Sequence, residues 1–488
     1  MNVSPLTHCS SIVALFVFIA GLSLASTPSH AATLADVPET HNLVLGESLR
    51  AGHFSDAWRT VASLRNASQK HYLDALDAEP QFYLAQAYVD IGLDNEAIKT
   101  YTGIAQRERK GPMADKAWLE VVKLSLDHGH FDQARSAIKK IGNDLDKAQK
   151  TEYKLAQALL FLQQKNPNKA VKAVPKMKHD TPWAAYQRYN IGVTLLTHHK
   201  NTRGAVILGQ LGNLKAEGQP ELQALKDQAN LALGFSLTQL GKAKQARKFL
   251  SRISLGTPAS SQALLGMGWA YSAENAQERA LVYWTELNSR PIASTYYYES
   301  LLAVPFGFAR AKAYSQAAQA YEMAIVQLEG DRKSLDKLRP QIHKGKLSAL
   351  LSANASSEFD WIQQWQQEPD SLLAYFLPLL LESPPYQTQV NEHRALLMLK
   401  LRLQEINADF QHLGTHEKIA HMRPDIERVR TKYTQVAVEL DQAITTSAES
   451  LNSSAIEIFE QHKTNLHNYA RQARFGLAQV IEQATFGQ

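Results

Sequence analysis

Cysteine is almost missing from this chain: Cys9 is the only one in 488 residues. It precedes the first apolar run, so removal of that run would leave no thiol at all. That excludes a cysteine nucleophile, a zinc–thiolate site, an iron–sulfur cluster and any disulfide in the mature protein. Long apolar runs are also scarce. After residue 31 the best candidate is Leu372 to Leu381, ten residues with Pro378 inside, too short to span a bilayer. The net charge is only +5, and Lys139-Lys140 and Arg332-Lys333 are isolated pairs. No basic stripe exists to track a phosphate backbone, so no nucleic-acid partner is expected. There is no phosphate-binding glycine loop, no Gly-x-Ser-x-Gly elbow and no dinucleotide fingerprint. His416-Glu417-Lys418-Ile419-Ala420-His421 has its histidines five apart, which diverge by about 140° on a helix and cannot share a metal. Neither a metal nor a cofactor is expected.

What is present begins with residues 1–31, which read as a secretory signal peptide. Ile12 to Ala25 is apolar, Thr27-Pro28-Ser29 ends it, and Ser29-His30-Ala31 fits a small-x-small cleavage site. The segment before it carries no Lys or Arg, which departs from the usual pattern. The expectation is cleavage near Ala31, a periplasmic mature chain and no transmembrane span.

The strongest pattern is a beat of small residues. Ala57, Ala97, Ala134, Ala170, Gly204, Ala246, Ala280 and Ala317 recur with a mean interval of about 37 residues. Four residues after each stands a large apolar side chain: Val61, Tyr101, Ile138, Val174, Leu208, Leu250, Trp284 and Tyr321. Small residues let two antiparallel helices approach, and the large ones fill the space beside them. One such pair cannot bury its apolar faces alone, so neighbours must stack. The unit from Ala78 reads Leu84, Ala85, Tyr88, Gly92, Ala97, Tyr101, and the unit from Ser261 reads Gly268, Tyr271, Ala280, Trp284. These spacings resemble the tetratricopeptide repeat. The resemblance implies an all-α fold, a solenoid of about eight helical pairs over residues 38–328, and function by holding other proteins.

In that family the first helix of each pair lines a concave surface, mainly through positions 2, 5, 9 and 12. Carried over, this implies a groove of Phe82, Gln86, Lys116, Lys123, Tyr186, Tyr189, Gln228, Phe235 and Trp269, with Leu119, Leu155, Leu231 and Leu265 among them. Aromatics interleaved with amides and lysines suit a peptide or partner helix.

Residues 329–385 read as a helical extension and linker: Gly330 to Pro340 is charged and turn-like, and Glu382-Ser383-Pro384-Pro385 stops a helix. Residues 386–488 read as a C-terminal helical bundle with heptad seams. Leu396, Leu399, Leu403, Ile406, Phe410 and Leu413 form one seam, Met422 to Leu440 a second, and Phe459 to Val480 a third that Lys463 interrupts. Three helices are expected there, to cap the solenoid, dock a partner or self-associate.

The whole resembles exported tetratricopeptide-repeat proteins of Gram-negative envelopes. It implies a non-catalytic scaffold for a protein or peptide partner in envelope biogenesis, export or assembly. Two alternatives remain. Glu299-Ser300 matches the catalytic dipeptide of lytic transglycosylases without its flanking motifs. A cytoplasmic adaptor would follow if the N-terminal run were not a signal.

Overall fold

The structure is a computed structural model. It describes residues 78–486 except 178–180, 198–200, 217, 258, 291, 354–371 and 415–422. The signal-peptide segment, the first repeat at Pro38 with Ala57 and Val61, and the His416 to His421 stretch lie outside the described residues.

All regular structure among the described residues is helical. The chain divides into two units, 1–236 and 237–488. In the first, α1 (Ala78–Asp90) and α2 (Asp94–Glu108) form a pair, followed by α3 (Pro112–Asp127) with α4 (Phe131–Ile138). Then come α5 (Lys147–Gln163) with α6 (Pro167–Ala173), α7 (Pro182–Thr197) with α8 (Asn201–Leu211), and α9 (Pro220–Gln239). The second unit contains α10 (Ala243–Leu250), the pair α11 (Ser260–Ala273) and α12 (Gln277–Asn288), and the pair α13 (Thr295–Arg310) and α14 (Tyr314–His343). It ends with α15 (Lys346–Ala353), α16 (Leu372–Leu381), α17 (Pro384–Gly414) and α18 (Arg423–Phe486).

The repeat chemistry explains each pair. Ala97, Ala134, Ala170, Ala246, Ala280 and Ala317 are fully enclosed. At Gly204 an added Cβ would lie 2.7 Å from the Gly192 carbonyl oxygen, so the two backbones touch there. Among the large followers, Trp284 and Leu208 are fully buried and Tyr101 nearly so. Six described turns between successive helices each have one residue with positive φ: Gly92, Gly129 and Gly241, but also Lys165, Asn275 and Lys312. The next residue's N–H then reaches five residues back, as from Leu93 to Tyr88 and from Ala313 to Phe308. This left-handed helix ending favours glycine, and three of the six turns do without it.

The period lengthens because connections between pairs are long and are tied down by buried polar side chains. Asp115 accepts from the N–H groups of Gly142 (2.7 Å) and Asp144 (2.9 Å). Arg188, fully buried, donates to the Pro175 carbonyl at 2.8 Å, and Asn230 donates to that of Gly212 at 3.1 Å.

The tail corrects three expectations. Gly330 to Pro340 is not a turn; it lies inside the 30-residue α14. Ala317, Tyr321, Ala324, Leu328, Asp331, Leu335, Leu338 and Ile342 step by four and three along one buried face, so the apolar seam carries the helix through. Glu382-Ser383-Pro384-Pro385 does stop a helix, because α16 ends at Leu381; the two prolines then open α17, where proline is tolerated in a first turn. The second and third seams belong to one 64-residue helix, α18, so the expected three helices are two. At Lys463 the seam is not interrupted, because the inward position between Phe459 and Leu466 falls to His462. Burial pushes His462 down to about 4 and keeps it neutral.

The latter part of α18 runs antiparallel along α14. Lys463 bonds Asp336 at 2.5 Å, Arg339 meets Glu460 at 3.8 Å, and Arg474 pairs with Glu329. Its first part runs antiparallel to α17, with Lys400 to Asp441 at 2.7 Å. One core joins Tyr298 of α13, Leu335 of α14, Phe376 of α16, Val390 of α17 and Phe459 of α18. The residues beyond Pro385 therefore share a core with the last repeat pairs. Asp331 in this core accepts from Tyr298 Oη (3.1 Å), Tyr375 Oη (2.9 Å) and Gln327 Nε2 (3.0 Å).

Two substitutions test this account. A Cβ at Gly268 would run into the Trp284 indole. Gly268→Ala should cost about 1–3 kcal/mol in urea denaturation by overpacking. Lys312 holds a φ of 61°. Lys312→Gly should raise stability by about 1 kcal/mol, since it removes the Cβ strain of a left-handed residue.

Candidate functional site

The first helices of successive pairs, α1, α3, α5 and α7, contact one another side by side and form one face of the first unit. The repeat's position 5 points into that contact rather than outward. Phe82, Leu119, Leu155 and Tyr189 are all buried there, and Leu231 and Leu265 at the same repeat position are buried too. Phe82 stacks edge-on against Tyr101 at 4.9 Å, beneath the Lys116 ammonium at 4.2 Å from its ring centre. Phe235 is also buried, whereas Gln86, Lys116, Lys123, Tyr186, Gln228 and Trp269 are half-buried. Phe82, Tyr189 and Phe235 thus pack inside the protein.

What lies open on the first unit is a polar tract across three helices. On α3, Glu120, Lys123 and Asp127 follow at three- and four-residue steps, which places them on one face. Lys123 Nζ lies 3.1 Å from Glu120 and 3.3 Å from Glu152 of α5. Thr181 donates to Glu152, and its hydroxyl oxygen accepts from the Ala184 N–H, fixing the start of α7. Trp183 Nε1 donates to both oxygens of Asp127 at 3.2 Å, and Gln187 Nε2 reaches the same carboxylate at 3.3 Å. Asn190 continues the row by donating to Gln187 at 3.2 Å. Lys123 also stands 5.6 Å from the Trp183 ring centre. Of these residues only Lys123 was among the sequence-derived set. Glu120, Asp127, Glu152, Trp183 and Gln187 were missed, although the three-and-four spacing of Glu120, Lys123 and Asp127 was there to be read.

The electrostatics follow from burial. Desolvation opposes the Lys123 ammonium, but Glu120 and Glu152 outweigh it and raise its pKa. Glu152 is pushed above the usual carboxylate range, chiefly by desolvation, against the pull of Lys123. Tyr186, beside Glu221, is pushed up to about 12, mainly by burial. The tract holds three carboxylates and one ammonium whose positions are set by each other.

The second unit has its own polar row. Gln262 Nε2 donates to Tyr296 Oη at 2.6 Å, and Trp269 Nε1 to Glu299 at 3.0 Å. Trp269 also packs edge-on against Trp284, with ring centres 4.9 Å apart. Ser300, next to Glu299, is buried and donates to the Tyr297 carbonyl at 2.6 Å. Glu382 accepts from the Thr295 N–H at 3.0 Å and from its hydroxyl at 2.6 Å, where α13 begins. Burial nonetheless pushes Glu382 up to about 7.

Among the described residues no group of three His, Cys, Asp or Glu side chains could hold a metal, and no helix is long and apolar enough to cross a membrane. No family model matches the chain. No curated protein matches it. Among solved structures, a tetratricopeptide repeat protein from Parabacteroides merdae is similar at 15% identity and a TM-score of 0.32, over 53% of this chain and 95% of its own. The Cut9–Hcn1 hetero-tetramer of APC/C is similar at 13% identity and a TM-score of 0.25, over 96% of each chain. The reading of the site therefore stands on its own geometry.

Removing Lys123 leaves Glu152 buried opposite no cation. Lys123→Met should cost about 3 kcal/mol by chemical denaturation, and Glu152→Gln in the same background should recover part of it. Glu382 holds its proton more tightly in the folded than in the unfolded chain, whose glutamates titrate near 4.3. Its contribution is present in full below that value and is lost as pH rises through about 7, amounting to roughly 3 kcal/mol at most. Glu382→Gln should flatten the decline in stability between pH 5 and 8, read from melting temperatures across that range.

Proposed function

We propose that this chain is a non-catalytic scaffold that holds a protein partner on the first-helix face of its first unit. The observation that carries the proposal is the tract from Lys116 through Lys123 and Asp127 to Trp183, Tyr186 and Gln187. Its side chains are held by bonds to one another, and Lys116, Lys123 and Tyr186 stay half-open to solvent. Donors, acceptors and ring faces fixed in advance reduce the ordering cost of binding. Alternating aromatic and charged groups across several helices suit an extended peptide or one face of a partner helix. The apolar run Ile12 to Ala25 and the Ser29-His30-Ala31 site support export, a mature terminus near Ala32 and work in envelope biogenesis, export or assembly. The glycan-cleaving alternative gains no support: Glu299 is bound by Trp269 and Ser300 is buried.

The test is affinity purification from the envelope fraction with wild type and with Lys116→Glu combined with Tyr186→Ala. The double variant should keep its melting temperature within a few degrees and lose the partners that wild type captures. An identical set of captured proteins would refute the assignment of this face. Tyr189→Ala, by contrast, should lower stability by about 3 kcal/mol, as expected for a buried aromatic. N-terminal sequencing of the mature protein should begin near Ala32, and an intact Met1 would sink the export reading.

A further inference from the structure

Beyond Leu397 the helices α17 and α18 leave the shared core. Tyr386, Val390, His393 and Leu397 are buried, whereas Met398 and Leu401 are 43% and 41% exposed. Further out along the hairpin on α18, Val429 and Val436 are each 44% exposed. The two helices run antiparallel here, fixed by Lys400 with Asp441 and by His393 Nδ1 against Ser447 Oγ at 3.2 Å. Two helices alone offer each other one face each. The seam of Leu396, Leu399, Leu403 and Ile406 is centred about 150° around α17 from the buried Val390–Leu397 face, at 100° per residue. All four are only half-buried, so among the described residues this stretch of the seam is not closed.

Charge is separated along the same hairpin. Near the start of α18, Arg428, Arg430 and Lys432 are exposed and outnumber Asp425 and Glu427 beside them, with Arg430 paired to Glu427 at 3.5 Å. From Tyr433 to His462 the chain has Glu439, Asp441, Glu449, Glu457 and Glu460 and no Lys or Arg. At the base of the apolar edge a groove of about 550 Å³ opens between α17 and α18, with Glu392, Leu396, Glu439 and Ala443 among its lining. Gln389 lines it too, and its Oε1 is buried without a partner.

We infer that this hairpin edge is an interface between two copies of the chain, packed antiparallel so that the Arg428–Lys432 cluster of each meets the Glu392–Glu439 groove of the other. Within one chain the two stand apart: Lys432 lies about 10 Å along the helix from Glu439, and more than about 20 Å from the level of Glu392 in the register that Lys400–Asp441 and His393–Ser447 set. A two-fold axis brings them together twice with the same patch on both sides. It also covers the leucine seam and the valines, giving the four-helix arrangement in which a two-helix hairpin buries both its edges. A single basic helix from another protein would fill the acidic groove and leave the basic end and Val429 unmatched. The apolar edge supplies affinity, and the charges set orientation and specificity.

The test uses the full chain in sedimentation velocity and light scattering up to about 100 µM, a range that detects weak but specific pairs. Wild type should dimerise. Glu392→Lys with Glu439→Lys should weaken the dimer at least about tenfold, as should Arg428→Glu with Lys432→Glu. Mixing the two variants should restore a dimer, because both contacts again pair opposite charges. Circular dichroism should be unchanged throughout, since all four side chains are exposed. A wild type that stays monomeric overturns the inference. So does a dimer indifferent to both reversals, or a mixture of the two variants that stays monomeric. A groove-bound helix from another protein would show as a monomeric wild type and counts against it equally.

Discussion

Every helical pair in this protein depends on one contact, the close approach of two antiparallel helices over a residue with almost no side chain. Where Ala97, Ala134 or Ala280 stands, no surface remains exposed, and at Gly204 even a methyl group would strike the facing backbone. That approach is favourable only when a large neighbour such as Trp284 or Leu208 fills the space beside it. Such a pair still presents two apolar faces, so each must lie against the next. The side-by-side first helices follow from this, and the buried position-5 residues are its direct product.

The same constraint acts on the last pair, which has no further repeat to lie against. The second unit meets it with a helix from the tail. The seam of α14 runs past the repeat length, and α18 lies antiparallel along it over Leu466, Ala470 and Ala473. At Gly476 an added Cβ would fall 2.5 Å from the Tyr321 ring, so this contact repeats the small-against-large pairing inside the repeats. The ion pairs along it are solvent-exposed and worth little individually; they specify register more than they stabilise.

Polar groups inside the fold have two separate tasks. Asp115, Arg188 and Asn230 hold the long connections through hydrogen bonds to main-chain groups. Lys123, Asp127, Glu152, Trp183 and Gln187 instead satisfy one another across three helices, and Lys123, Asp127 and Trp183 leave part of their surface to solvent. The first group explains how the interval between units can average about 37 residues without loss of packing. The second gives the first unit a surface of fixed chemistry.

The amino-acid order by itself determined the helical pairs, their small-residue contacts and most of their turns, because these depend on neighbours within about 40 residues. It also contained the α14 seam from Ala317 to Ile342, hidden by a glycine and a proline that the apolar spacing overrides. Only the tertiary structure decided which faces are open. Repeat position 5 holds a large apolar or aromatic residue in each described unit and is closed by the adjacent first helix, so Phe82 and Tyr189 are interior, as is Phe235 at position 9. The tract through Asp127 and Trp183 joins residues 56 apart, and α18 joins Arg474 to Glu329, 145 residues away. No local periodicity encodes such partners, since burial of one helix face depends on a surface supplied by a distant segment.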